Sequence, residues 1–214
     1  MTSALIVIDV QESFRQRPLW QAISNPGIAG DVARLVDSAR ARGHLVVWIL
    51  HSEPGSGTTF DPAGGHVRLI PPLEPRAGEP VLTKTAHNAF TTTGLQQLLT
   101  QRGITEVTIC GIRTEQCCET TARVASDLGY QVTFVTDATA TNPIPHRDAP
   151  ADQAVAELLA DPRTLGVSAV IERTEYVLAG RFATIATIAE ATRQATAPPS
   201  PAGASAKPAM LTRS

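Results

Sequence analysis

Continuous apolar runs and helical stripes take turns along this chain. ALIVIDV (residues 4–10) is an unbroken run of mostly branched side chains ending near an aspartate, and HLVVWIL (44–50) is a second. EVTICGI (106–112) and QVTFVTDA (131–138) follow the same pattern, with a shorter run, VLTK, at 81–84. Runs of this kind suit strands covered on both faces. Between them Val32, Leu35, Val36 and Ala39 recur at helical spacing before a stop at Arg42-Gly43. TGLQQLLTQRG (93–103) reads as a second helix, and residues 114–128, closed by Gly129, as a third. A helix over 151–159, a sixth strand in SAVIERT (168–174) and a final helix in AGRFATIATIAEATRQ (179–194) complete the expectation. Strands alternating with helices predict an α/β fold, a parallel sheet with helices on both faces.

Two stretches lack such periodicity. Residues 51–80 are crowded with glycine and proline, and residues 141–150 read TNPIPHRDAP. Loops this long in a compact domain are usually functional or disordered. Beyond residue 195 the chain is rich in proline, alanine and serine without a core pattern. The expected organisation is therefore one domain over 1–195 and a disordered tail over 196–214.

Composition narrows the classes of function. A chain with 43% hydrophobic and 18% charged residues is of the soluble globular type, and a formal net charge of −2 offers no broad attraction to nucleic acid or an anionic membrane. No apolar run approaches the roughly 20 residues that span a bilayer, and the first residues enter a strand pattern directly, which predicts a cytoplasmic protein. The expected partner is a small-molecule substrate. The three cysteines, Cys110, Cys117 and Cys118, form no disulfide framework, so reduced thiols are expected.

In a doubly wound sheet, ligands bind beyond the carboxyl ends of the strands where the strand order reverses. Asp9, Lys84 and the turn from Gly111 to Cys117 fall at such ends. Thr114 is a suitable N-cap and would place Cys117 in the first turn of a helix, where unpaired N–H groups and the helix dipole favour a thiolate. Cys118 lies about 100° further round the helix, and Cys110 lies inside a strand; both read as core residues. Taken singly, each of Asp9, Lys84 and Cys117 is as well explained by solvation or burial. Their convergence in one cleft is what points to chemistry. Gln11, two positions after Asp9 on the same side of an extended backbone, can face the cleft. Phe14, Phe60 and Phe90 are candidates for its apolar walls, and His87 for a further substrate contact.

Three motifs in order resemble the isochorismatase-like cysteine hydrolases, a group that includes nicotinamidases, N-carbamoylsarcosine amidohydrolases and maleamate amidohydrolases. They are ALIVIDVQESF, LTKTAHNAFTTTGL and CGIRTEQCCETTARVASDLGYQVTFVTDATAT. The resemblance implies a six-stranded parallel sheet sandwiched by helices, a Rossmann-like three-layer fold, and a triad of Asp9, Lys84 and Cys117. It also implies a cis peptide between Ile112 and Arg113, with the N–H groups of Arg113 and Cys117 forming an oxyanion hole.

The activity so implied is hydrolysis of a C–N bond in a small amide, ureido or carbamoyl compound through a thioester. Ether hydrolysis of the isochorismate type, or binding without catalysis, are the alternatives. Nicotinamidases carry an Asp-x-His metal element; here the loop offers His51, Glu53, Asp61 and His66 without that spacing, so neither metal nor other cofactor is expected. Homodimers or homotetramers are common in the group, and the apolar stretch Phe182 to Ala191, read as helical, is the candidate interface.

Overall fold

The computed structural model describes residues 2–193; the expected tail over 196–214 lies outside them. Six strands form one sheet: β1 (Ser3–Ile8), β2 (Leu45–His51), β3 (Val81–Lys84), β4 (Glu106–Ile112), β5 (Gln131–Ala140) and β6 (Thr184–Ala186). All adjacent pairs are parallel and the order is β3-β2-β1-β4-β5-β6, so the reversal falls between β1 and β4. Among the described residues, seven α-helices accompany them: α1 (Glu12–Arg15), α2 (Ile28–Ala41), α3 (Leu95–Gln101), α4 (Glu119–Asp127), α5 (Val155–Ala160), α6 (Val167–Leu178) and α7 (Ile188–Arg193).

The unbroken apolar runs are explained by a core on each side of the sheet. Leu5 and Val7 of β1 join Val46, Trp48, Ile112 and α2 on one face, whereas Ala4, Ile6 and Ile8 join Val47, Ile49, Ile109 and helices α3 and α4 on the other. Because successive strand side chains alternate between faces, a strand buried twice has no polar position to spare.

Two expectations on the C-terminal side are corrected. SAVIERT is not a strand but part of α6, in which Val170, Thr174 and Leu178 are buried at four-residue intervals while Ser168, Ala169, Glu172 and Arg173 are exposed. A seven-residue window hid that period. The stretch from Ala179 to Gln194 is not one helix: Gly180, at φ 69°, follows the C-cap of α6 and turns the chain into β6 before α7 begins. A left-handed glycine just past a helix end is a common stop. The proposed interface over Phe182 to Ala191 thus loses its basis, because the segment is divided and Ile188 and Ala191 are buried in this chain's own core. α5 begins at Val155, four residues later than expected.

Gly111 is the backbone position on which the centre of the sheet depends. Its φ is 130°, and a Cβ there would lie 1.9 Å from the carbonyl oxygen of Ile8. β4 can approach β1 this closely only without a side chain. Gly111→Ala is expected to cost more than the ~0.5–3 kcal/mol of a typical substitution, read as a fall in the denaturant midpoint. An unchanged midpoint would show that β1 and β4 can part without penalty.

Candidate active site

Three strand ends deliver three side chains to one point. Asp9 follows β1 with φ 52°, left-handed for a non-glycine residue, while its N–H donates to the carbonyl of Ile49 at 2.9 Å. Such a conformation costs on the order of 1–2 kcal/mol. Lys84 is the last residue of β3 and pairs in register with His51 of β2. Cys117 lies in a π-helical turn, Thr114–Cys118, between β4 and α4. Lys84 Nζ stands 2.7 Å from Asp9 Oδ2 and 3.4 Å from Cys117 Sγ. Asp9 and Lys84 have no solvent exposure and Cys117 retains 7%.

The Asp9–Lys84 contact is an ion pair rather than an aligned hydrogen bond, and neither Asp9 oxygen has a well-oriented donor. Lys84 Nζ also donates to the carbonyl of Ala86 at 3.1 Å. Burial raises the Asp9 carboxyl above its ordinary range, and the Lys84 charge only partly opposes this. Burial acts to lower Lys84, but the neighbouring Asp9 and Cys117 more than offset it, so the ammonium is retained.

The surroundings of Cys117 act against the expected resting thiolate. Burial and the adjacent Asp9 carboxylate push the Cys117 thiol up to about 12, against the pull of Lys84. Thr114 is not the N-cap: Arg113 precedes the turn in an extended conformation, and Thr114 Oγ1 donates instead to Thr139 Oγ1 at 2.8 Å. Cys117 is therefore the fourth residue of the turn. The Arg113 carbonyl accepts from the N–H groups of Gln116 and Cys118, which flank Cys117. The Ile112–Arg113 peptide is cis.

A model of the isochorismatase domain matches residues 3–165. This chain belongs to the isochorismatase family. A streptothricin hydrolase of Streptomyces noursei is 38% identical over 144 residues, covering 66% of this chain and 56% of that protein. Nicotinamidase 3 of Arabidopsis thaliana is 32% identical over 152 residues, covering 65% of this chain and 73% of that protein. Among solved structures, an isochorismatase from Pseudomonas putida KT2440 superposes with a TM-score of 0.74 at 32% identity, covering 88% of this chain and 89% of the other.

The other residues singled out in this isochorismatase-family chain separate into neighbours of the site and parts of the scaffold. Gln11 belongs to the scaffold, a correction to its reading as a substrate contact. Its Nε2 donates to Ser13 Oγ and to the His51 carbonyl, both at 2.9 Å, and its Oε1 accepts from the His51 N–H at 2.7 Å. The amide sutures the end of β1 to the end of β2. Phe90 stacks on Tyr130, which precedes β5 at the opposite end of the sheet, and so is core rather than pocket wall. His87 is exposed on the loop after β3. Phe14 meets Phe60 edge to face at 5.0 Å, and Phe60 meets His51 at 5.5 Å, so these aromatics do stand beside the site.

His51 reads in the sequence as a loop histidine, but it is the last residue of β2 and touches the site directly. Its Nδ1 lies 3.4 Å from Lys84 Nζ and its Nε2 3.4 Å from Glu53 Oε1. Burial, reinforced by the Lys84 charge, holds its pKa below the usual imidazole range. A neutral ring with Nδ1 as acceptor can accept a hydrogen bond from the Lys84 ammonium while Nε2–H faces Glu53. The position at the end of a strand neighbouring the lysine strand was the only available sequence signal. Asp61 is taken up in its own turn by the N–H groups of Gly57 and Ala63. Among the described residues, no group of three His, Cys, Asp or Glu side chains is arranged to hold a metal ion.

Brief iodoacetamide treatment is expected to label Cys117 ahead of Cys110 and Cys118, both wholly buried. The rate should climb as pH rises from neutral toward the displaced thiol value, since the thiolate reacts. Peptide mass spectrometry reads the three sites; equal labelling of Cys118 would contradict this arrangement.

Proposed function

We propose that this protein is a cysteine amidohydrolase that cleaves a C–N bond of a small amide, ureido or carbamoyl compound through a thioester, with Asp9, Lys84 and Cys117 as its catalytic residues. The observation that carries the reading is the contact of one buried ammonium with both a carboxylate at 2.7 Å and a thiol sulfur at 3.4 Å.

The elevated values of Asp9 and Cys117 have a mechanistic meaning. Both groups resist ionisation, yet a proton moving from sulfur to carboxylate leaves the total charge beside Lys84 unchanged. The transfer exchanges one buried anion for another and avoids creating an additional charge in a dry site. Asp9 accepts the thiol proton as sulfur attacks the carbonyl carbon, and Lys84 stays protonated throughout.

The resulting oxyanion is received by the N–H groups of Arg113 and Cys117, each such donor being worth roughly 3 kcal/mol in comparable sites. Collapse breaks the C–N bond, with protonated Asp9 supplying the leaving nitrogen. The Asp9 carboxylate then takes a proton from water, whose oxygen attacks the thioester (a thiocarbamate where the substrate is a ureido or carbamoyl compound); the C–S bond breaks, the carboxylic or carbamic acid departs, and Asp9 returns its proton to sulfur. Ether hydrolysis needs protonation rather than a nucleophile and gives Cys117 no task.

Ammonia or amine release from a panel of small amides, ureas and carbamoyl compounds tests the reading. Cys117→Ala and Asp9→Asn are each expected to lower kcat/KM by about 10³-fold or more, while intact-mass spectrometry of rapidly quenched wild-type protein shows an acyl adduct on Cys117. Turnover that survives Cys117→Ala would end the covalent mechanism.

A further inference from the structure

The donors of the Lys84 ammonium are all engaged without its nearest neighbour. An ammonium carries three N–H donors and no acceptor. Those of Lys84 meet the Ala86 carbonyl at 3.1 Å, Cys117 Sγ at 3.4 Å and His51 Nδ1 at 3.4 Å. Asp9 Oδ2 is closer, at 2.7 Å, yet it is met by charge alone, with no aligned donor. A carboxylate that accepts an aligned hydrogen bond from a cation becomes a weaker base. The direction of the Lys84 donors therefore bears on any proton that Asp9 must take.

The His51 ring is built into this arrangement. Because Lys84 can only donate, Nδ1 must be the bare ring nitrogen, and the ring proton then sits on Nε2, 3.4 Å from Glu53 Oε1. Glu53 is anchored in turn, for its Oε2 accepts from Thr58 Oγ1 and its N–H donates to the Phe60 carbonyl, both at 2.9 Å. Gln11 holds the His51 backbone through its N–H and its carbonyl, and Phe60 packs edge to face on the ring. A file of polar contacts thus runs from exposed Thr58 through Glu53 and His51 to the buried ammonium.

We propose that His51 is a positioning residue for Lys84: it holds one ammonium proton away from Asp9, leaving the carboxylate free to take the thiol proton while another ammonium proton stays on Cys117 Sγ. This role rests on the hydrolase reading above. Glu53 selects the ring tautomer that can fill it. A protonated ring would do the opposite, having no acceptor and standing as a second cation 3.4 Å from Lys84. The charged groups facing His51 are Lys84 of β3, Asp9 beyond β1 and Glu53 beyond β2. Burial, aided by Lys84, keeps the ring neutral until the pH falls below the usual imidazole range, against the pull of Asp9 and Glu53. The positioning is present above that point and is lost as the pH falls through it, alongside protonation of Asp9.

His51→Asn, His51→Gln and His51→Leu test the role. Asn Oδ1 branches from the same carbon as Nδ1 and accepts without titrating; Gln carries its acceptor one bond further out, and Leu has none. On an amide that the wild-type protein hydrolyses, His51→Leu is expected to lower kcat about tenfold with KM held within about twofold, and Asn to recover more of kcat than Gln. The acid limb of kcat/KM, set by Asp9 and His51 together in the wild type, should be shallower in His51→Asn. At neutral pH, alkylation of Cys117 by iodoacetamide should slow about five- to tenfold in His51→Leu and recover in His51→Asn, a readout that needs no substrate. Circular dichroism establishes that each variant is folded; should the Leu variant not fold, the difference between Asn and Gln decides. The inference is overturned if His51→Leu matches the wild type in kcat and alkylation, if Gln does as well as Asn, or if the acid limb keeps its slope in His51→Asn. Turnover without these effects would keep the hydrolase and reject the role of His51. The alkylation pattern without amine release from any compound would keep the positioning of Lys84 and reject the hydrolase.

Discussion

A carboxylate and an ammonium, both removed from water and 2.7 Å apart, form the constraint around which the carboxyl end of the sheet is arranged. Removing either partner would leave an isolated buried charge, which is far more costly than the pair is favourable. The strand order makes the contact possible. β1 and β3 flank β2, so their axes are separated by two inter-strand spacings, roughly 10 Å. The long stem of Lys84 crosses that distance over the end of β2, where His51 sits. A shorter cation on β3 could not reach Asp9.

The same burial governs reactivity. Water would stabilise a free thiolate, but it would also weaken every electrostatic contact in the cleft. The enclosed site instead places Cys117 and Asp9 beside the Lys84 ammonium, where burial raises both the thiol and the carboxyl above their ordinary values. The positive φ of Asp9 and the absence of any side chain at Gly111 are local costs accepted where three strand ends must converge. Gln11, joined at both ends of its amide to the backbone of His51 and to Ser13, keeps the ends of β1 and β2 from separating. The loop residue Phe60 completes the aromatic wall, packed between Phe14 of α1 and His51 of β2.

The cavity and the three convergent side chains rest on different elements. Asp9, Lys84 and Cys117 come from strand ends and the turn that follows β4, whereas a cavity beside that turn is closed by the segment after α1, the proline-rich stretch 143–150 and α5. Such connections can vary without disturbing the sheet, which is how one scaffold comes to accept different compounds. The streptothricin hydrolase and the nicotinamidase among its relatives are named for different substrates.

Periodicity alone determined the strands β1 to β5 and the helices α2 to α4, because long apolar runs and helical stripes carry their own signature. It also placed Asp9, Lys84 and Cys117 at strand ends. It failed where the signal was short or two-sided: α6 looked like a strand over seven residues, and the three residues of β6 were absorbed into a helix. Folding alone decided what each polar group does. Gln11 became a brace because the His51 backbone reached it first, and His51 joined the site because β2 lies between its partners' strands. The Cys117 thiol is raised because burial and the Asp9 charge oppose its anion. Hydrogen-bond partners and dehydration belong to groups distant in sequence, so they come into being only when the sheet brings those groups together.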